Sequence, residues 1–150
     1  MTSTTSTPLN IVLVEDNPDD EELMLEALKE YRLRNPITVL RDGQEAVDYF
    51  FRQGDYTDRP AKQPDLILLD IKLPKVDGLD VLAKIKSDDE LKRVPVVVLT
   101  SSQEDRDIAK GYELGANSYI VKPIDFEQLL ETVRTIGGYW LIVNEPAPRK

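Results

Sequence analysis

The 150-residue chain contains no cysteine and no histidine. Without cysteine it has no disulfide bonds and no thiolate metal sites, and a reducing compartment is permitted. Without histidine it has no imidazole for zinc binding, for nucleophilic triads or for phosphohistidine chemistry of its own. The sequence also lacks a secretory signal and any run near the ~18 apolar residues that span a bilayer. We therefore expect a cytoplasmic protein with no membrane contact.

Positive charge is also scarce, since 19 Lys and Arg face 28 Asp and Glu, for a net charge of -9. A surface of this sign repels a phosphate backbone, so direct DNA binding is not expected. The length and the 41% hydrophobic content suit one domain with one core. We expect that domain over 10–144, between a disordered N-terminal tail at 1–9 and a C-terminal tail at 145–150, with no output domain after it.

Short apolar runs alternate with segments of helical spacing along the whole chain. The runs predict five strands, at 11–14, 37–40, 66–69, 96–99 and 119–121. None alternates apolar and polar residues, which is typical of strands covered on both faces of a parallel sheet. Helices are predicted at 18–31, 43–53, 78–88, 103–114 and 125–142. Five strand-helix repeats predict an α/β fold, a doubly wound three-layer sandwich with right-handed crossovers.

Polar side chains directly follow four of the predicted strands. They are Glu15, Asp16, Asp70, Thr100 and Lys122. The carboxyl ends of parallel strands meet at one edge of the sheet, where ligands bind in such folds. Three carboxylates there repel one another unless a cation relieves them, and oxygen donors of this kind suit Mg²⁺.

A metal-bound carboxylate can act as a nucleophile toward phosphorus, which predicts phosphoryl transfer to Asp70. Lys122 and Thr100 would then supply a cation and a hydroxyl to the phosphoryl oxygens. A single acid at a strand end is more often a turn former or a helix cap. The five groups together favour the chemical interpretation.

The motifs VEDN, LILLDIKLPKVDG, VVVLTSS and GANSYIVKP resemble, in this order, the receiver domain of two-component response regulators over nearly the full chain. The resemblance implies a flavodoxin-like (βα)5 fold with strand order 2-1-3-4-5. It implies that Asp70 accepts the phosphoryl group and that Asp16 and Asp70 bind Mg²⁺ directly. Glu15 would assist through water, and the backbone carbonyl of Lys72 would complete the protein ligands.

Further roles follow from the same resemblance. Lys122 would pair with the phosphoryl group, Thr100 and Tyr119 would form the switch pair, and Pro123 would follow a cis peptide bond. Lys72 and Ser102 would tune the rate of dephosphorylation. The Lys72 ammonium could screen the phosphoryl charge or obstruct the attacking water, and the alternative is a lysine extended into solvent.

The loop GDYTDRPAKQP and the late segment GGYWLIVNEP resemble those of single-domain receivers that partner bacterial and cyanobacterial phytochromes. The resemblance implies that the phosphodonor is a histidine on a phytochrome-type sensor histidine kinase. Output would pass through a partner protein by a phosphorylation-controlled interaction. The alternative within this class is a phosphorelay intermediate or a phosphate sink for another kinase.

Three other functional classes fit the sequence less well. A phosphatase of the haloacid dehalogenase kind needs a second Asp where Lys72 stands. A flavodoxin relative needs a phosphate-binding loop where EDNPDD follows the first strand. A receiver that works without phosphate is disfavoured because all five edge groups are present. We expect no enzymatic activity beyond catalysis of the chain's own phosphorylation and dephosphorylation.

Five large apolar residues follow one another in YWLIV, at 139–143. They cannot all face one core from a helix. The hypothesis is a homodimer through the fourth helix, the fifth strand and the fifth helix, which would use Tyr139, Trp140, Ile142 and Val143. The alternative is that this end folds back over the first helix.

Overall fold

The structure is a computed structural model that describes residues 10–30, 37–60, 63–101, 104–122, 125, 127–128 and 131. Its strands are β1 (Ile11–Val14), β2 (Ile37–Leu40), β3 (Leu66–Leu69), β4 (Val96–Thr100) and β5 (Ser118–Val121). Its α-helices are α1 (Pro18–Glu30), α2 (Gly43–Phe51), α3 (Gly78–Ser87) and α4 (Asp105–Glu113). Short 3-10 helices cover Gly54–Tyr56 and Leu91–Arg93.

The strands form one parallel sheet in the order β2-β1-β3-β4-β5. This confirms the predicted doubly wound fold and its strand order. The predicted strands and the first four predicted helices each lie within two residues of the observed bounds. The fifth predicted helix, 125–142, falls almost wholly outside the described residues, and the predicted tails at 1–9 and 145–150 fall wholly outside them.

Burial distinguishes the central strands from the edge strands. Every residue of β1, β3 and β4 is buried, which fits strands covered by helices on both faces. In β2 and β5, by contrast, three of the four residues are partly exposed. This partial exposure fits their place at the two ends of the strand order, because an edge strand has a neighbouring strand on one side only.

Two glycines let helices begin directly against the loop that follows β3. A β-carbon at Gly78 would lie 2.4 Å from the backbone oxygen of Asp70 and 2.3 Å from the Cα of Ile71. A β-carbon at Gly43 would lie 1.7 Å from the backbone oxygen of Val76. Helices α2 and α3 therefore fix the path of the chain just after the predicted phosphoacceptor.

Residues 52–60, the first part of the connection between α2 and β3, are held by specific side-chain contacts. The guanidinium of Arg59 lies 4.1 Å above the centre of the Tyr49 ring, and its Nε donates a hydrogen bond of 2.7 Å to the Tyr49 carbonyl. The Tyr56 hydroxyl donates to Glu45 Oε2 at 2.6 Å. None of the helices in the described ranges has the length and apolar character needed to cross a membrane.

Candidate functional site

The register of the central strands brings the acids of two loops together. Val14 pairs with Leu69 of β3 and with Leu40 of β2. The pairing continues one residue further, because the Glu15 amide donates to the Leu40 carbonyl at 2.9 Å and the Asp70 amide donates to the Val14 carbonyl at 3.0 Å. Glu15 and Asp70 therefore leave the sheet side by side at its carboxyl edge.

Glu15, Asp16 and Asp70 form a cluster of carboxylates, whose nearest oxygens all lie within 4.8 Å of one another. Glu15 is 1% exposed and Asp70 is 5% exposed, whereas Asp16 faces solvent. Buried carboxylates at this spacing repel each other and need positive charge nearby. The structure thus brings together the three acids that the sequence predicts at this edge.

Lys122 supplies positive charge to this cluster from the end of β5. Its backbone amide donates to the Thr100 carbonyl at 2.8 Å, which holds the residue beside β4. Its Nζ lies 2.7 Å from Glu15 Oε1, 2.9 Å from Asp70 Oδ2 and 2.8 Å from Asp20 Oδ2. The Lys122 side chain is 11% exposed, so these charge-assisted hydrogen bonds are largely shielded from water.

Burial and the ion pairs shift two pKa values in this cluster. Burial raises the pKa of Glu15 to about 7, and the nearby Asp70 charge adds to this, although the Lys122 hydrogen bond opposes it. Burial alone would lower the pKa of Lys122, but its hydrogen bonds to Asp20, Glu15 and Asp70 outweigh burial and raise it. Lys122 therefore stays charged, while Glu15 titrates near neutral pH.

The second Asp70 oxygen is held by the loop that follows. The Lys72 amide donates to Asp70 Oδ1 at 2.9 Å, while Oδ2 accepts from Lys122. The carboxylate is therefore fixed at both oxygens. The Lys72 side chain points elsewhere, because its ammonium lies 3.4 Å from Asp107 Oδ2 on α4.

Thr100 and Tyr119 lie on the neighbouring strands β4 and β5. Thr100 is fully buried at the end of β4, where it pairs in register with Val121. The Tyr119 ring is partly buried and lies beside α4, with its centre 6.4 Å from that of Tyr112. A β-carbon at Gly111 would come within 3.2 Å of the Tyr119 ring. The structure thus places both predicted switch residues at the β4 and β5 side of the site.

The remaining predicted site residues fall outside the described part of the chain. They are Ser102, Pro123, Tyr139, Trp140, Ile142 and Val143. Their predicted roles in dephosphorylation, in the cis peptide and in a dimer interface therefore stay predictions.

Asp20 is the site residue that the sequence did not indicate. It lies in the first turn of α1, where acids are common because the helix dipole favours them, and that local explanation concealed its contact with Lys122. A usable signal exists nevertheless. The first turn of a helix that follows β1 lies at the same sheet edge as the strand end, so an acid there can reach the cluster.

The donor set fits a hard divalent cation. Lys122 is the ammonium that contacts Glu15, Asp20 and Asp70, and Asp16 adds a fourth acid to the cluster, so these acids outnumber the ammonium that pairs with them. Mg²⁺ and Mn²⁺ prefer oxygen donors, and two or three carboxylates leave positions for water and a phosphoryl oxygen. Glu15, Asp16 and Asp70 are the side chains that would hold such an ion.

Comparison with known proteins agrees with this geometry. Residues 11–134 match the model of the response regulator receiver domain. Over 141 residues the chain is 42% identical to the response regulator Rcp1 of Synechocystis sp., covering 94% of this chain and 95% of that protein. The structure of Rcp1 in its Mn²⁺-bound form superposes with a TM-score of 0.77, at 43% identity over 91% of this chain and 96% of that one.

Two other solved structures are similar over most of their length. The bacteriophytochrome response regulator RtBRR has a TM-score of 0.83 and 48% identity, covering 95% of this chain and 86% of that one. The phosphorylated cyanobacterial phytochrome response regulator RcpA has a TM-score of 0.77 and 46% identity, covering 90% of this chain and 95% of that one. By its sequence match, its strand order and its acidic sheet edge, the chain belongs to the family of response regulator receiver domains.

Proposed function

We propose that this receiver accepts a phosphoryl group on Asp70 from the phosphohistidine of a sensor kinase, in a reaction that needs Mg²⁺. One observation carries the proposal. The Asp70 carboxylate lies at the carboxyl edge of the sheet, with oxygens of Glu15 and Asp16 within 4.8 Å and the Lys122 ammonium at 2.9 Å. The side chains proposed as nucleophile, metal ligands and cation thus share one edge.

The transfer breaks the phosphorus–nitrogen bond of the phosphohistidine and forms a phosphorus–oxygen bond to Asp70. The electron pair of the broken bond returns to the imidazole of the donor. A Mg²⁺ ion held by Glu15, Asp16 and Asp70 would neutralise negative charge on the phosphoryl oxygens. Asp70 presents its oxygen to phosphorus, Lys122 pairs with the added negative charge, and the Thr100 hydroxyl serves as a hydrogen-bond donor at the end of β4.

The identity of the donor is supported by the relatives. RtBRR is described as a bacteriophytochrome response regulator and RcpA as a cyanobacterial phytochrome response regulator. The proposed donor is therefore a phytochrome-type sensor histidine kinase. The second candidate is a phosphorelay intermediate or phosphate sink for another kinase, which the same acidic edge would also serve.

The proposed output is a change of protein contacts rather than turnover of a further substrate. Phosphorylation adds negative charge at Asp70, and a shift of Thr100 and Tyr119 would carry the change to the α4 and β5 face. The proposal places a homodimer interface on α4, β5 and the predicted fifth helix. It also includes a cytoplasmic location and a receiver domain over 10–144, a range that encloses the family match at 11–134.

A phosphotransfer assay tests the proposal. The protein is incubated with Mg²⁺ and with radiolabelled, autophosphorylated histidine kinases, one of them a phytochrome and one not. We expect the phytochrome kinase to label the unmodified protein rapidly and to leave the Asp70→Asn variant unlabelled. Asp55→Asn is the matched control, because Asp55 is an exposed acid in the loop between α2 and β3. Full labelling of Asp70→Asn would contradict the proposal, and preference for the other kinase would favour the second candidate.

A further inference from the structure

Asp20 connects the start of α1 to the acidic sheet edge through its contact with Lys122. Its Oδ2 lies 2.8 Å from Lys122 Nζ, across 102 positions of sequence. The Asp20 side chain is 31% exposed and the Lys122 side chain is 11% exposed. The pair is therefore partly shielded from water. A charge-assisted hydrogen bond in such a place is stronger than one at an open surface.

The carboxylates around Lys122 are not the same set as the carboxylates that could hold a cation. Glu15 and Asp70 belong to both sets. Asp16 belongs to the cation set only. Among the described residues, Asp20 binds Lys122 but is not in the three-acid cluster. Asp20 is thus the one carboxylate partner of Lys122, in the described part of the chain, that a cation in the cluster would leave available.

A divalent cation and the Lys122 ammonium therefore compete for Glu15 and Asp70. Opposite charges attract each to the same oxygens, and like charges repel the two cations from one another. A metal ion that engages Glu15 and Asp70 weakens two of the three contacts that the structure gives Lys122. An ammonium that lost all its partners at 11% exposure would be a buried unpaired charge, which is costly.

We propose that Asp20 is a positioning residue that keeps the Lys122 ammonium at the edge of the site when a divalent cation engages Glu15 and Asp70. The inference rests on the proposed metal site and deepens it. Asp20 lowers the energetic penalty of metal binding by retaining Lys122, and it leaves that ammonium beside Asp70, where the phosphoryl group would arrive.

Other acids in the first turn of α1 do not share this geometry. Glu21 Oε2 pairs with the Arg41 guanidinium at 2.8 Å, on the side of the helix that faces β2. Asp19 is exposed, and its amide donates to the Asn17 side chain at 2.8 Å. Asp19 carries the same charge one residue away and contributes similarly to the helix dipole. It is therefore the matched control for Asp20.

The test is a double-mutant cycle on Mn²⁺ affinity, measured by electron paramagnetic resonance on the full unphosphorylated chain. Asp20→Asn should weaken binding about tenfold more than Asp19→Asn, which is the scale of one charge-assisted hydrogen bond. Lys122→Gln should tighten binding because it removes the competing cation. In the Lys122→Gln background, Asp20→Asn should weaken binding no more than Asp19→Asn does.

A second measurement follows the ammonium itself. In ¹⁵N-labelled protein, the Lys122 ammonium protons should stay protected from hydrogen exchange when Mg²⁺ is added. In Asp20→Asn the same addition should remove that protection, and Asp20→Glu should restore it. If Asp20 had a purely structural role, Asp20→Asn would reduce the protection of the Lys122 ammonium equally with and without Mg²⁺.

The outcomes separate this inference from the proposed function. Equal Mn²⁺ affinity of Asp20→Asn and Asp19→Asn would overturn the inference and leave the metal site intact. A large loss that persists in the Lys122→Gln background would also overturn it, because Asp20 would then act on the ion directly. Absence of Mn²⁺ binding by the unmodified chain would instead refute the proposed metal site, and the inference with it.

Discussion

The Lys72 ammonium lies 3.4 Å from Asp107 Oδ2, which joins the loop after β3 to helix α4. The same residue donates its backbone amide to Asp70. Lys72 therefore touches the predicted phosphoacceptor with its main chain and α4 with its side chain. The Lys72 side chain is 55% exposed and that of Asp107 is 15% exposed, so the ion pair lies at the surface and is weak.

The ion pair predicts opposite effects of two substitutions on the lifetime of phosphorylated Asp70. Asp107→Asn releases the Lys72 ammonium, which can then turn toward the phosphoryl charge and obstruct the attacking water. We expect a lifetime up to about five times longer, because an exposed ion pair contributes ~0.2–1 kcal/mol. Lys72→Asn removes the ammonium and should shorten the lifetime by a smaller factor, because the ion pair with Asp107 already holds the ammonium away from Asp70 for part of the time. Decay of the radiolabelled protein measures both.

Lys75→Asn is the matched control for this pair of variants. Lys75 forms a comparable surface ion pair, 3.4 Å from Asp42 Oδ2, and its positive φ of 72° is one that Asn tolerates. Its substitution should leave the lifetime unchanged. Unaltered decay in both Lys72→Asn and Asp107→Asn would show that this lysine does not tune dephosphorylation.

The raised pKa of Glu15 predicts how stability depends on pH in the metal-free protein. Burial raises this pKa from 4.5 to about 7, so over that range the native state retains a proton that the unfolded chain releases. The free energy of unfolding must therefore fall as pH rises through the range, and level off above it. Urea unfolding in the presence of a chelator measures this at several pH values.

Glu15→Gln isolates the contribution of this one carboxyl group. The variant has no proton to release, so its stability should depend less on pH over the same range. Adding Mg²⁺ to the unmodified protein should stabilise it more above pH 7 than below, because the ionised carboxylate is the better ligand. Identical pH dependence of the variant and the unmodified protein would contradict the assignment.

Gly111→Ala should displace the Tyr119 ring. A β-carbon at position 111 would lie 3.2 Å from Tyr119 Cδ2 and 3.4 Å from its Cε2, so the ring must move by a few tenths of an ångström. Alanine also favours the α4 helix by up to ~1 kcal/mol, which offsets the strain. We expect little change in stability and a clear shift of the ¹⁹F resonance of fluorotyrosine placed at 119.

Ala109→Gly is the control for the helix-propensity effect, because Ala109 is exposed on the same helix. It changes the stability of α4 without touching the ring. A ¹⁹F shift of equal size in this control would mean that the Tyr119 resonance reports helix stability and not direct contact with position 111.

Trp140→Glu tests the proposed dimer, in a segment outside the described residues. A carboxylate at an apolar interface is strongly disfavoured, so sedimentation should shift toward monomer while phosphorylation of Asp70 persists. If the segment instead packs over α1 of its own chain, the variant should lower the urea midpoint and leave sedimentation unchanged.

Most of this fold could be predicted because each strand and helix is signalled by residues within its own segment. Runs of Val, Ile and Leu marked each strand, and helical spacing marked the helices. The start of α2 is likewise fixed locally, because the Asp42 side chain accepts a hydrogen bond from the Glu45 amide. The partial exposure of β2 and β5 could not be read in this way. It depends on which strands end up at the sheet edges, which is a property of the whole topology.

The candidate site was predictable to the extent that strand ends define it. Glu15, Asp16, Asp70 and Lys122 each follow a strand, and the parallel sheet collects them at one edge. Contacts between helices and this edge were not predictable. Asp20 and Lys122 are 102 residues apart in sequence, and the Lys72 partner on α4 depends on where that helix packs.

The three hydrogen bonds of Lys122 also bear on whether folding and metal binding must occur together. Many metal sites assemble only when the ion is present, so folding and loading happen together. Here an amine carried by the chain already balances part of the acidic charge, at 2.7–2.9 Å from three carboxylates. The chain thus carries its own counter-ion, so folding of the core does not require the metal, and metal binding can follow as a separate step.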